Sequence, residues 1–144
     1  MKMMDHVAIM KKSWNLLPKI LSGEKTIESR WYKTKGEAWG KVKKGDMVYF
    51  KNSGEPVGLK AEVAKALQFE NLKLAMIREI MKKYGKEIGL SDFHGFYQWA
   101  KDKKYCVLIF LKDVREVEAF SINKAGFGLV RAWLTVKNIK TIKI

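Results

Sequence analysis

Apolar residues recur along this chain with two different periods, and the alternation between them lays out its elements. Residues 6–10 (HVAIM) form a short apolar run of the buried-strand type. Ser13 then caps a helix predicted over 14–21, with Leu16, Leu17, Ile20 and Leu21 on one face and Pro18 tolerated near its first turn. Gly23 supplies the left-handed residue that ends it. Residues 26–31 alternate with period 2, so Thr26, Glu28 and Arg30 share one strand face and Ile27, Ser29 and Trp31 the other. The polar, basic stretch 33–44 around Trp39 reads as a loop. A Gly45-Asp46 turn then opens a strand over 47–50, Asn52-Ser53-Gly54 turns the chain, and 57–67 returns as another strand.

The second half is helical before it is extended. Residues 71–84 carry Leu72, Leu74, Met76, Ile77, Ile80, Met81 and Tyr84 on a broad helical face that Gly85 can end. Ser91 caps a short helix with Phe93, Phe96, Tyr97 and Ala100 at helical spacing. Residues 105–111 (YCVLIFL) are the strongest buried-strand candidate, and 114–122 and 132–144 supply further strands on either side of a Gly126 and Gly128 turn. About six strands with two or three helices between them predict a small, partly closed barrel.

Composition narrows the class. A chain of 144 residues fits a single domain, and 47% apolar residues exclude intrinsic disorder despite a formal charge of +14. No apolar run is long enough to span a membrane, and no secretory leader is evident; with one cysteine, Cys106, a reducing cytoplasmic setting is expected. Of the 29 cations, 25 are lysine and only Arg30, Arg78, Arg115 and Arg131 are arginine. Lysine enrichment with two glutamines is a weak thermophile signal, which an AT-rich genome would also give. The charge excess points to a polyanionic partner, or to a well-solvated surface.

Candidate chemistry is sparse. His6, His94 and Cys106 lie far apart without metal-ligand spacing, so neither a metal nor a cofactor is expected, and nucleotide-binding glycine loops and the serine-hydrolase elbow are absent. Cys106 reads as a small buried hydrophobe and His94 as a packing or capping residue. The segment from Gly23 to Lys33 differs from an ordinary core. There Lys25 starts a strand on which Glu28 and Arg30 face the same way, two residues apart, so that the carboxylate can orient the guanidinium. The bland alternative is a surface ion pair worth at most about 1 kcal/mol.

The pattern G-x-K-x-x-E-x-R (Gly23, Lys25, Glu28, Arg30), the later GD-x-V-x-F (Gly45, Asp46, Val48, Phe50) and the segment AFSINKAGFG at 119–128 resemble prokaryotic stand-alone ASCH domains, of the PUA-like superfamily. The resemblance implies an α+β fold: a PUA-like small mixed β-barrel flanked by helices, one domain over 1–144, with a helical insertion at about 70–104. It also implies binding of RNA or a modified nucleoside in a cleft lined by the motif. Physical reading of the residues agrees. Lys25 and Arg30 can hold phosphate and Glu28 can accept from an amine or ribose hydroxyl. Tyr32, Trp39 and Trp31 are candidate stacking platforms, and Lys33, Lys35, Lys41, Lys43 and Lys44 can track a backbone. Packing is the favoured reading for Trp31 and Trp14, while Trp39 is evenly balanced; Asp46 is read as a turn residue.

Two other functions stay open at this stage. Some bacterial ASCH members are amidohydrolases with a catalytic Lys, a Thr three residues later and a distant Glu. Lys25 matches that Lys, but Glu28 stands at the Thr position, Thr26 is its nearest threonine, and Glu79 and Glu87 are only possibilities for the acid. A Lys25–Glu28 pair remains conceivable in a nuclease or deacylase. The third reading is a protein-interaction module using the aromatic helix at 93–99.

Overall fold

The computed structural model describes residues 2–128 and 131–144. Six strands form one mixed sheet: β1 (Asp5–Met10), β2 (Ile27–Tyr32), β3 (Met47–Asn52), β4 (Val57–Phe69), β5 (Tyr105–Phe120) and β6 (Trp133–Val136). Their order is β2-β5-β4-β3-β1-β6, with β1 and β3 parallel and every other neighbouring pair antiparallel. The long β4–β5 pairing shifts register three times between Val57 and Lys65, and Asp113 takes a positive φ of 52° within β5. Such irregularities bend and twist a ribbon, and the sheet curls into a half-barrel.

The curl brings its two edges together. Arg30, on edge strand β2, donates from Nη1 to the carbonyl of Ala132, next to β6, at 3.2 Å, and from Nη2 to Met10 Sδ at the end of β1 at 3.3 Å. The barrel therefore closes on one side by side chains rather than by a backbone ladder, and the candidate site lies along this seam.

Helices α1 (Leu16–Ser22), α2 (Leu74–Ile88) and α3 (Phe93–Ala100) cover the rest. One core fills the barrel, with Met10, Ile20, Phe50, Val63, Val107, Ile109 and Trp133 among its members. A second lies between β2, β5 and the α2–α3 pair, joining Ile27, Trp31, Ile77, Ile88 and Leu108. Because β5 is covered on both faces, Cys106, Val107, Leu108 and Ile109 are all fully buried, which is why that run is continuously apolar. Among the described residues no helix is long and apolar enough to cross a membrane.

Several boundaries differ from the sequence reading. Ser13 caps no helix: it lies in a 3-10 turn at Lys12–Trp14, and α1 starts after Asn15, whose φ is 51°. Leu21 faces solvent, while Leu16 and Leu17 pack on the barrel core. Gly85 does not end α2, which runs on to Ile88 and is capped by Gly89 at φ 91°. Gly85 is instead a contact point, since a Cβ there would lie 2.6 Å from the Phe93 ring of α3. Asp92, not Ser91, caps α3, accepting from the Gly95 N–H at 2.9 Å. The two strands expected on either side of residue 112 are one, because the Asp113 irregularity lets β5 bend without breaking. Beyond β6 the chain forms a short 3-10 turn at Ile139–Thr141 and one bridge, Ile122 to Lys143, rather than a strand to the end.

Candidate functional site

Strand register presents the motif. On β2, Ile27 and Trp31 bury into the core beneath α2 and α3, leaving Glu28 and Arg30 together on the other face. Gly23, with φ 85°, closes α1 and turns the chain so that Lys25 enters the interior. The Lys25 ammonium is 2% exposed and makes three short contacts: Ile27 O at 2.7 Å, Ile88 O at 2.6 Å and Glu28 Oε1 at 3.1 Å. Glu28 Oε2 accepts from Arg30 Nε at 3.0 Å and lies 2.7 Å from its Nη2. The guanidinium also sits 5.2 Å from the Trp133 ring centroid.

The charges set one another. Burial pushes the Glu28 carboxyl up, but the charges and hydrogen bonds of Lys25 and Arg30 outweigh it and hold its pKa below the ordinary value. Burial lowers the pKa of Lys25 against the attraction of Glu28. Three oxygens surround the one nitrogen, as many as an ammonium has protons to donate. Arg30 keeps one Nη1 N–H without a partner among the described residues.

Around these groups opens a cleft of about 1100 Å³. Its walls come from 9–19, Lys25 with β2, Ser53 after β3, the α2–α3 junction with α3, and Lys124, Arg131 and Ala132. Lys11, Lys19 and Arg131 make its margin basic, and Lys124 donates to the Arg131 carbonyl at 3.2 Å. Trp14, Trp31, Phe96 and Trp99 are all on its lining.

The sequence-derived site residues are thus divided. Lys25, Glu28, Arg30 and Tyr32 line the cleft. Tyr32 is half-buried, its hydroxyl accepting from the Ala38 N–H at 3.2 Å, with its ring against Gly36. Lys33, Lys35, Trp39, Lys41, Lys43 and Lys44 do not line it. Lys33 pairs with Asp102 at 3.1 Å, and Trp39 packs edge-on against Tyr105 at 5.1 Å with Lys35 over its ring. Thr26 is exposed outside the cleft; its backbone bonds Glu87 and Leu111. Trp31 is buried, as expected, but Trp14 is 49% exposed: packing does not claim it.

Sequence reasoning missed a buried support. His6, fully buried, lies 2.8 Å from Asp46 Oδ2 through Nε2 and 3.0 Å from Thr135 Oγ1 through Nδ1. Trp133 Nε1–H donates to His6 Nδ1 at 3.2 Å. An indole nitrogen only donates, so Nδ1 accepts and the ring proton sits on Nε2, facing Asp46. This fixes Trp133, and Trp133 underlies Arg30. Asp46 also accepts from the Met4 and Lys43 N–H groups, so it is more than a turn residue. Nothing in the spacing joins positions 6, 46 and 133; only strand pairing does.

No protein-family model matches the sequence, and no curated protein matches it either. Solved structures do. The chain superposes on the crystal structure of ASCH from Zymomonas mobilis with a TM-score of 0.68 at 15% identity, covering 95% of this chain and 90% of that one. The fold is that of an ASCH domain. Two single-substitution variants of the same Zymomonas mobilis protein superpose equally, with TM-scores of 0.67 and 0.66 at 15% and 16% identity, covering 95% of this chain and 93% and 91% of theirs. The ASCH fold accounts for the mixed half-barrel and its helices. Among the described residues no three metal-ligating side chains gather into one site.

Proposed function

We propose that the chain binds single-stranded RNA, or a modified nucleoside within it, in the cleft lined by Lys25, Glu28 and Arg30, with Gly23 outside it as the turn that brings Lys25 in. One observation carries this reading: a partly exposed guanidinium, oriented by a buried carboxylate, sits on the lining of a large cleft with a basic margin. An oriented guanidinium with an N–H to spare takes a phosphate oxygen or a base carbonyl. The margin cations raise the local concentration of a polyanion and speed its arrival. In this reading Arg30 touches the ligand and Glu28 orients it. Lys25 acts through both, fastening β2 to the end of α2. The pair α2–α3 is an insertion within one domain that contributes a wall to the cleft.

The hydrolase alternative asks Lys25 to be a base toward a ligand, and its nitrogen is already held by three protein oxygens. RNA incubated with the protein is therefore expected to come back intact by mass spectrometry. The direct test is fluorescence anisotropy of a labelled single-stranded RNA with wild type, Arg30→Ala and Lys19→Ala, with folding checked by circular dichroism. Affinity is expected to fall about tenfold or more in Arg30→Ala, as loss of a charged hydrogen bond worth about 1.5–3 kcal/mol requires. Equal binding by both folded variants at every salt concentration would remove the cleft from consideration.

A further inference from the structure

Four aromatic rings that the mechanism above does not use form a continuous wall of the cleft. Trp31, 6% exposed on β2, meets Phe96 of α3 edge-on at 5.5 Å; Phe96 meets Trp99 at 5.4 Å; and Trp99 meets Trp14 edge-on at 6.2 Å. All four line the same cleft, so the wall runs from its buried floor to an open lip. At that lip Trp14 and Trp99 are 49% and 42% exposed, although they belong to segments 85 positions apart in sequence that meet there. Large exposed aromatics are unusual on a surface with no role for them. Each also has an ammonium over its ring: Lys11 at 5.7 Å from Trp14 and Lys103 at 4.7 Å from Trp99. On the floor, the Trp31 indole N–H is buried with no acceptor among the described residues, a donor that folding leaves unused at a cost.

We infer that this wall is a stacking platform for an unpaired nucleobase, with Trp14 and Trp99 as its contact surface. The inference rests on the reading of the cleft as an RNA site and names the part of the strand that enters it. A base has an apolar π-face for the indoles and carries a phosphate that Lys11, on the cleft lining, can reach. An aliphatic peptide would match the rings but not their cations, and a bare polyanion would match the cations but not the rings. Stacking also explains why α3 leaves Trp99 exposed at the lip, beyond Phe96, which packs on the second core. The platform and Arg30 then divide the work: rings hold the base plane, and the guanidinium holds an oxygen.

The test uses isothermal titration of a mixed-sequence RNA hexamer and an abasic hexamer with the same phosphates into wild type, Trp14→Ala, Trp99→Ala and Trp14→Phe. Both alanine changes are at exposed positions, and thermal melting checks that each variant is folded. Wild type is expected to bind the RNA hexamer about 5- to 100-fold more tightly than the abasic one. Each alanine variant should lose much of that margin while binding the abasic hexamer as wild type does, and Trp14→Phe should recover part of it. If wild type binds both hexamers equally while Arg30→Ala still weakens binding, RNA recognition stands and the platform falls. If wild type binds neither hexamer, the RNA reading fails and the platform with it. Should Trp14→Ala leave RNA affinity unchanged but abolish self-association in sedimentation, the lip is a contact between copies and the inference is overturned.

Discussion

Lys25 shows how much one buried cation can decide. Its ammonium joins two backbone carbonyls, one from β2 and one from the last turn of α2, to the Glu28 carboxylate. Replacing it with methionine keeps the volume but leaves Glu28 with Arg30 alone and strands two carbonyls in the interior. Breaking a buried pair from one side costs about 3–5 kcal/mol, so Lys25→Met should lower the denaturation midpoint steeply, well beyond the effect of Lys33→Met at an exposed pair. His6 yields a second expectation. Burial holds its folded pKa below 6.5, with the Asp46 hydrogen bond opposing. As pH falls below about 6.5, the unfolded chain takes up a proton that the folded chain refuses, so stability declines toward the folded pKa and then levels. Urea unfolding between pH 8 and 5 should show a flat region followed by a fall of at most about 1.4 kcal/mol per pH unit from this group. The motif residues themselves could be picked out from their spacing. Their roles could not: the partner of Lys25 at Ile88 lies 63 residues away, and the Asp46–His6–Trp133 chain exists only after three strands pair.

At the scale of elements, glycine positions separate turning from packing. Gly89 has a positive φ and sits against the Lys25 stem, where an added Cβ would lie 3.3 Å from Lys25 Cβ. Gly89→Ala therefore combines backbone strain of about 1–2 kcal/mol with pressure on the site, and should weaken RNA binding as well as stability. Gly36 is the contrasting case. Its φ is ordinary, yet an added Cβ would run into the Tyr32 ring, so Gly36→Ala should destabilise by displacing Tyr32. Element types were largely legible, because β4 alternates over its first eight residues and β5 is apolar throughout its buried half. The ends were less so. Gly85 looks like a helix stop, but tertiary contact with Phe93 claims it for packing, and the true stop comes four residues later at Gly89.

For the molecule as a whole, the charge of +14 separates into parts with different work. Lys33, Lys35, Lys41, Lys43 and Lys44 lie off the cleft, whereas Arg30, Lys11, Lys19 and Arg131 line it. If those four each neutralise one phosphate, log K should fall against log salt with a slope of about −3 for a single strand. Salt titration of the wild type checks that, and Lys19→Ala should make the slope shallower while Lys41→Ala leaves it unchanged. The half-barrel was legible from strand count and motif resemblance together. Its seam was not, because closure depends on the sheet's curl, and curl follows from bulges that periodicity does not mark.

The placement of the five tryptophans has an optical consequence. Trp14, Trp31 and Trp99 line the cleft, Trp133 lies under Arg30, and Trp39 alone stands apart against Tyr105. The protein's ultraviolet emission therefore comes mostly from the neighbourhood of its own cleft. Occupancy can be followed by intrinsic quenching in unlabelled protein, with the remote Trp39 as a built-in reference.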